Sequence, residues 1–313
     1  MRNPPLQYAL VLLATLSFAA ASAYGQAQTP PPAPAAPDFS KVEIKTTKIS
    51  DNLYLLAGQG GQIGVLAGPD GILMVDSQFA PLSQKIAAAV RQISSAPIRF
   101  LINTHVHGDH TGGNENFAKM GVTLFSRDEL RDRLARPVPN AAGVTPPVAP
   151  VAALPMVTYR GPVTFHMNGE VVEVVPIIRA HTDGDTMVRF RNADVLMMGD
   201  FFRTNGYPNI DRNNGGTLNG MLEGLGIAIS LTGPNTKVIP GHGVIVDRNG
   251  LAAHRDLLLA IRDRVKKLVD EGKTLDEVLA AKVTADYDGK TEQADVSGPR
   301  MVGQVYAELK TAK

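Results

Sequence analysis

The residues best suited to chemistry lie in one short run, residues 104–110, which reads THVHGDH. It holds four potential metal ligands, and three neighbouring imidazoles are costly to keep near a core unless a cation uses their lone pairs. If a strand ends just before the run, strand alternation points His105 and His107 the same way. A turn at the following glycine then begins a helix whose first turn presents Asp109 and His110. The run therefore predicts two neighbouring metal positions.

Three further candidate ligands each follow a short apolar run. His181 stands in AHTDGDT, Asp200 comes directly after VLMMG, and His242 stands in IPGHG. Each of them alone could be an ordinary polar loop residue. Their common position after an apolar strand favours one joint site, because a carboxylate there is costly unless it is paired or bound to a metal. The two remaining histidines, His166 and His254, are interpreted as structural.

Alternating short runs and turns must position these groups. Apolar runs separated by Gly and Asp predict strands at 53–56, 62–67, 72–75, 98–102, 163–167, 171–178, 186–190, 195–198 and 237–239. Helical spacing of apolar residues predicts helices at 81–93, 251–269 and 301–309. Residues 136–155 contain six prolines and little periodicity, which indicates either a surface flap or an insertion without a role. Residues 201–220, rich in Asn and Gly, predict a long loop that begins at the candidate site.

The N-terminus has the pattern of a secretory signal peptide: Met1-Arg2, an apolar run over residues 8–21, and Ala21-Ser22-Ala23. The apolar run is shorter than the roughly 20 residues that span a bilayer, so a stable membrane anchor is not expected. We expect cleavage after Ala23 and a periplasmic or secreted protein. The predicted organisation is a signal peptide over 1–23, a Pro- and Ala-rich linker over 24–40, and one enzyme domain over 41–313.

Composition excludes several other classes of function. The chain of 313 residues has no cysteine, so disulfides, thiolate metal ligands, a Cys nucleophile and a lipoprotein anchor are excluded. Its 31 Lys and Arg nearly cancel its 30 Asp and Glu. The sequence has no block of basic residues, so nucleic-acid binding is not predicted. We expect a small-molecule substrate and a monomeric or weakly associating protein. Any metal must be held by His, Asp or Glu.

Together these motifs resemble those of the metallo-β-lactamase superfamily. The resemblance rests on His-x-His-x-Asp-His, a later His-Thr-x-Gly-x-Thr, an Asp after a Gly, and Pro-Gly-His-Gly, in the superfamily's order over residues 105–242. It implies an α/β fold, an αββα sandwich of two mixed sheets flanked by helices. By matching position, it implies one Zn²⁺ held by His105, His107 and His181. A second Zn²⁺, with iron or manganese as alternatives, would be held by Asp109, His110 and His242, and Asp200 would bridge the two.

One departure bears on the subfamily. Well-known lactamases of the superfamily often carry a Cys where this chain has Asp200, whereas glyoxalase II-like and lactonase-like members use Asp. The absence of Cys therefore weakens the β-lactamase interpretation. Arg203 lies three residues later, where some lactamases keep a cation for the substrate carboxylate, although it could equally be an ordinary surface residue.

The chemistry of such a site is hydrolysis. Two zinc ions lower the pKa of a bridging water to about 7, supply hydroxide and polarise the attacked carbonyl or phosphoryl group. Asp109 can act both as a ligand and as the acceptor of the nucleophile's proton. Asp76 is expected to orient a ligand imidazole or the adjoining turn, and Thr104 and Thr182 are weaker candidates of the same kind. Candidate substrate contacts in the 201–220 loop, each of which could instead form a turn, are Tyr207, Asn209, Asn213 and Asn214.

The function predicted from these observations is an exported, zinc-dependent hydrolase that uses metal-bound hydroxide on a cyclic amide or ester, or on a thioester. A glyoxalase II-like thioesterase is favoured by Asp200, but its usual thiol-conjugate substrate is intracellular. Two alternatives of other classes are an iron-dependent redox enzyme with the same fold and a non-catalytic metal-binding module. The sequence leaves the substrate open.

Overall fold

The computed structural model describes Met1 and residues 38–311. The predicted signal peptide, apart from Met1, and the predicted linker up to residue 37 lie outside the described residues. The proposed domain boundaries therefore stay predictions.

Twelve strands in the described chain form two sheets. They are Lys45–Lys48 (β1), Leu53–Ala57 (β2), Ile63–Gly68 (β3), Gly71–Val75 (β4), Ile98–Ile102 (β5), Thr123–Arg127 (β6), Val157–Tyr159 (β7), Val163–Met167 (β8), Glu170–Pro176 (β9), Thr186–Phe190 (β10), Val195–Met197 (β11) and Lys237–Ile239 (β12). The first sheet has the order β1 to β7, and the second has the order β12-β11-β10-β9-β8. Both are mixed: β4 to β7 pair in parallel, as do β11 and β12, and the other neighbours are antiparallel.

In the described chain, five helices lie between strands and four follow the last strand. They are Ser83–Ile93 (α1), Gly108–Thr111 (α2), Asn114–Lys119 (α3), Asp128–Ala135 (α4), Leu218–Leu231 (α5), Arg248–Asp270 (α6), Leu275–Ala280 (α7), Ala285–Asp288 (α8) and Ala294–Thr311 (α9). Among the helices within residues 38–311, none is long and apolar enough to cross a membrane.

Strand alternation explains how one sheet serves two cores. All five residues of β4 are buried. Leu73 and Val75 pack with residues of the second sheet such as Val188 and Ile239, whereas Ile72 and Met74 pack in a separate cluster on the opposite face. Because successive side chains point to opposite faces, β4 must be apolar throughout.

Helices cover both outer faces. The outer core of the first sheet includes Ile86 and Val90 of α1. The outer core of the second sheet contains the buried stripe of α6, in which Leu258, Ile261 and Val265 recur at helical spacing. The order helix, sheet, sheet, helix confirms the predicted αββα sandwich.

The predicted elements correspond closely to the observed ones, but the 14-residue helix α5 was not predicted. Strands 98–102, 163–167, 186–190 and 237–239 have the predicted bounds. The prediction that 201–220 is entirely loop is wrong at its end, because Thr217 caps α5 by accepting a hydrogen bond from Gly220 N at 3.0 Å. Residues 136–155 contain only a short 3-10 turn, Val151–Ala153.

Candidate metal centre

The seven predicted ligands lie together at one edge of the sandwich's strands. The run 104–110 follows β5, and its Asp109 and His110 lie in α2, as the sequence indicated. His181 lies between β9 and β10, Asp200 lies in a 3-10 turn after β11, and His242 follows β12. Three overlapping groups contain all seven residues, and within each group the ligand atoms lie within 4.8 Å of one another.

The first group, which we call the histidine triad, consists of His105, His107 and His181. Nδ1 of His107 and Nε2 of His181 are 2.9 Å apart. Nε2 of His105 is buried and has no hydrogen-bond partner. Three imidazole nitrogens thus lie close together, and that of His105 has no protein donor to satisfy it.

In each histidine of the histidine triad, the ring nitrogen that points away from the other two rings is hydrogen-bonded to the protein. His107 Nε2 donates to Asp211 Oδ2 at 2.7 Å, and His181 Nδ1 donates to the carbonyl of Asn209 at 2.6 Å. His105 Nδ1 lies 3.1 Å from Thr104 Oγ1, which itself donates to Asp76 Oδ2 at 2.7 Å. Since each ring uses one nitrogen as a donor to the protein, its other nitrogen keeps a lone pair for a cation.

The second group, which we call the mixed triad, consists of Asp109, His110 and His242. His242 Nε2 lies 3.0 Å from Asp109 Oδ2 and 3.3 Å from His110 Nε2. Asp76 Oδ2 accepts the hydrogen bond of His110 Nδ1 at 2.7 Å. Asp76 therefore orients one imidazole directly and, through Thr104, supports a second.

Asp200 lies between the two triads. Its Oδ1 is 3.2 Å from His110 Nε2, its Oδ2 is 3.4 Å from His242 Nε2, and it also groups with His105. Oδ1 is buried and has no hydrogen-bond partner. The neighbouring backbone requires glycine, because a Cβ on Gly241 would collide with this oxygen.

The histidine triad favours neutral rings. Burial and the neighbouring imidazoles lower the pKa of His105 well below its usual value and that of His181 to about 4. Burial would also lower the pKa of His107, but the hydrogen bond to Asp211 outweighs it and raises that pKa. Two of the three lone pairs are therefore available at neutral pH without loss of a proton.

In the mixed triad, neighbouring charges outweigh burial in setting the pKa values. Burial opposes ionisation, but Asp200 and Asp76 raise the pKa of His110 well above its usual value, and Asp109 and Asp200 raise that of His242 to about 9. In return, His242 and His110 lower the pKa of Asp109 to about 2, and His110 holds that of Asp200 well below its usual range. Protons on two imidazoles balance the carboxylates when no cation is bound.

The donor set fits two divalent cations. Imidazole nitrogens and carboxylate oxygens are ligands for Zn²⁺, and catalytic zinc sites use three protein ligands with one position open. A buried imidazole nitrogen and a buried carboxylate oxygen without partners are otherwise unfavourable. Each triad could therefore hold one cation, with Asp200 in contact with both.

Several predicted contacts have other partners. Thr182 is bound through its amide and hydroxyl to Asp185. Arg203 donates to Asn205 Oδ1 at 2.9 Å and 3.0 Å. The role of Thr182 in orienting a ligand and the role of Arg203 toward a substrate carboxylate both stay predictions.

The Asn-rich loop supports the histidine triad from behind. The carbonyl of Asn209 contacts His181, while its side chain accepts from Gln304 of α9 at 2.7 Å. Asn214 donates to Asp211 Oδ2 at 2.7 Å. Tyr207 is buried and donates to Asp288, and Asn213 donates to the carbonyl of Pro139.

Sequence reasoning missed two carboxylates. Asp211 holds the ring of His107, and Asp185 accepts from the amides of His181 and Thr182 at 2.6 Å and 2.9 Å. Burial raises the pKa of Asp185 to about 7. Asp185 stands in the same HTDGDT motif as His181 and could have been found there, whereas nothing local in the sequence marks Asp211.

The histidines interpreted as structural lie away from the triads. His166 is exposed on the edge strand β8. His254 packs edge-on against Phe202 with ring centroids 4.9 Å apart, and burial lowers its pKa to about 4.

Comparison with known proteins identifies relatives of several kinds. Hydroxyacylglutathione hydrolase of Nitrosococcus oceani is 28% identical over 184 residues, which is 56% of this chain and 60% of that protein. The chain thus aligns with less than two thirds of the relative's length. A metallo-β-lactamase from Pontibacter korlensis is similar in structure, with a TM-score of 0.57, 19% identity, and coverage of 69% of this chain and 99% of that one.

A third similar structure is a stereoselective inverting sec-alkylsulfatase from Pseudomonas sp., with a TM-score of 0.64 and 17% identity over 84% of this chain and 50% of that one. At these identities the solved structures establish the fold alone. The model of the metallo-β-lactamase superfamily matches residues 57–269, more than half of the chain. The chain therefore belongs to the metallo-β-lactamase superfamily, as its motifs predicted.

Proposed function

We propose that the protein is an exported hydrolase with a dinuclear zinc centre that opens a cyclic amide or ester. The observation that carries the proposal is the pair of triads with Asp200 between them. Buried lone pairs on His105 and Asp200 without hydrogen-bond donors support cation binding there. A closed structural metal site would not need a carboxylate in contact with both triads.

The chemistry that bound divalent cations supply is a water molecule of lowered pKa and polarisation of the attacked carbonyl. The chain's own contribution is proton handling and orientation. The side chain of Asp109 is 27% exposed, whereas that of Asp200 is 8% exposed. Asp109 is thus the carboxylate better placed to accept a proton from the attacking water and return it to the leaving group. Asp76 and Asp211 fix the ring orientations on which that geometry depends.

Thioester hydrolysis is the second candidate. It is favoured by Asp200 in place of a Cys and by the similarity to a hydroxyacylglutathione hydrolase. Both reactions place an attacked carbonyl at the same centre, so the leaving group is what differs. An iron-dependent redox activity is the alternative if the centre binds iron.

The test combines metal analysis with a substrate panel. Protein purified from the periplasm is assayed for bound metal and for hydrolysis of nitrocefin, a homoserine lactone, a thioester and bis-nitrophenyl phosphate. We expect close to two equivalents of zinc and preferred turnover of the lactone or the lactam. Preferred turnover of the thioester would favour the second candidate. Bound iron, or two zinc ions with no turnover of any substrate, would overturn the proposal.

Export is part of the proposal and is tested separately. Mass spectrometry of the native protein is expected to report an N-terminus at Tyr24 or within the next few residues. An intact Met1 in a membrane fraction would contradict it.

A further inference from the structure

A cavity of about 500 Å³ adjoins the histidine triad. His107 and Asp211 form one side of it, and the Pro-rich segment that follows α4 forms the other. Apolar side chains dominate the lining, among them Val106, Leu134, Pro137, Val138, Pro146 and Ala149. This size and character are those of pockets that enclose small organic ligands.

Hydrogen bonds hold the Pro-rich segment in place over the cavity. Ala149 N donates to the carbonyl of Leu134 at 3.0 Å, which closes the segment back on α4. Asn213 Nδ2 donates to the carbonyl of Pro139 at 2.9 Å, which ties the segment to the loop that carries Asp211. Because proline also restricts the backbone, the apolar wall is formed before a ligand arrives.

The charges around the cavity do not favour an anionic ligand. Within the described chain, Arg133 is the one Lys or Arg side chain that lines it. Arg133 is already engaged by Asp183, with Nη2 and Oδ2 2.6 Å apart. Glu115 and Asp211 add carboxylates to the same lining. An anion would therefore meet repulsion and would have to compete with Asp183 for the guanidinium.

We propose that this cavity binds the apolar acyl or alkyl group of a neutral carbonyl substrate, and that Val138 helps to set the accepted length. The proposal rests on the proposed function, because His107 of the histidine triad also lines the cavity. A carbonyl at the metal centre would direct its hydrocarbon chain beneath the Pro-rich segment. Substrates with a carboxylate close to the reacting bond, such as β-lactams, are then poorer than neutral esters or lactones.

The first test is a series of p-nitrophenyl esters with acyl chains of 4 to 12 carbons. We expect kcat/KM to rise about fourfold per added methylene, mainly through KM, until the chain outgrows the cavity. Val138→Phe should move the optimum to shorter chains, and Val138→Asp should flatten the rise. The matched control is Val148→Asp, because Val148 belongs to the same segment but is 65% exposed and does not line the cavity.

The second measurement separates this inference from the proposed function. Binding of unreactive N-methyl alkanamides of the same chain lengths is measured by calorimetry on the protein as purified. Affinity that rises with chain length and is weakened by Val138→Asp, but not by Val148→Asp, supports the cavity even if no ester is hydrolysed. If esters are hydrolysed but neither kcat/KM nor binding depends on chain length, the proposed role of the cavity is wrong, while the proposed function stays intact. Equal effects of the two Asp variants would also overturn it.

Discussion

The two triads differ in how they compensate for burial. The histidine triad has no carboxylate of its own, and the pKa of its His105 and His181 is lowered. The mixed triad contains Asp109 and contacts Asp200, and the pKa of its two histidines is raised. Without a cation, Nε2 of His105 in the histidine triad keeps an unused lone pair, whereas both imidazoles of the mixed triad lie against carboxylates.

This difference predicts unequal competition between protons and metal. A cation at the histidine triad displaces few protons, because two of its rings are already neutral at pH 7. A cation at the mixed triad must displace protons from His110 and His242, so its binding should depend more strongly on pH. The histidine triad is therefore expected to fill first as metal is added.

The largest effect is expected when the histidine triad loses a ligand. His107→Ala should leave about one metal equivalent or less and reduce kcat/KM by about 10³-fold, since several kcal/mol of charge stabilisation is lost. Metal analysis and steady-state kinetics measure both. The control is His166→Ala at an exposed position of the edge strand β8, which should retain metal and activity. Full metal content and unchanged hydrolysis in His107→Ala would refute the ligand assignment.

A smaller effect is expected at the carboxylate between the triads. Asp200→Asn keeps the shape and removes the charge that offsets two neighbouring cations. We expect the fold to be kept, one metal to be weakened, and kcat to fall by about 10²-fold, or about 2.7 kcal/mol. Circular dichroism, metal analysis and kinetics test the three parts. Wild-type kinetics with two zinc ions bound would show that Asp200 has no bridging role.

The same position can also separate the subfamilies. Asp200→Cys is expected to raise β-lactam turnover relative to other substrates if the pocket is lactamase-like. A fall across the whole panel would instead favour the lactonase-like or thioesterase-like interpretation.

The orienting carboxylates give a matched pair of smaller effects. Asp211→Asn should weaken metal binding at the histidine triad by about 10- to 100-fold, because the hydrogen bond to His107 is weakened. Asp76→Asn should act mainly on the mixed triad through His110. Competition with a chelator of known affinity, read separately for each equivalent, measures both. If each variant lowered the affinity for both metal equivalents to the same extent, the two triads would not be independent.

Local sequence patterns predicted most of the strands and the run of metal ligands. The ligand run after β5 was predictable because three histidines so close together have few other uses, and the strands were predictable because apolar runs alternate with Gly and Asp turns. The joint site required the additional observation that His181, Asp200 and His242 each follow a strand. These residues come together because β11 pairs with β10 and β12, and no local sequence pattern predicts that pairing.

Other features depended on contacts distant in sequence. Asp211 lies 104 residues from His107, and the pairing exists only because the loop after Asp200 folds back over the histidine triad. The edge strand β1 was missed because its four residues, Lys45–Lys48, are all exposed and carry no apolar pattern. The Pro-rich segment was recognised as a flap or an insertion, but its position beside His107 is a property of the folded chain.

The smallest effect is a pH dependence to which the mixed triad should contribute, in addition to His107 and Asp185, whose pKa values are also raised. In metal-free protein, His242 has a pKa of about 9 and His110 a raised pKa, so between pH 7 and 9 the folded chain holds more protons than the unfolded chain. Stability must then fall as the pH rises through this window. The rings of His105 and His181 are neutral in the folded chain throughout this window, so they cannot cause a loss of stability as the pH rises. The free energy of unfolding, measured with urea at pH 7, 8 and 9, should therefore fall as the pH rises. This fall should be reduced in His242→Ala, kept in His181→Ala, and reduced further once zinc has displaced the protons. An equal slope in both variants would contradict the contrast between the triads.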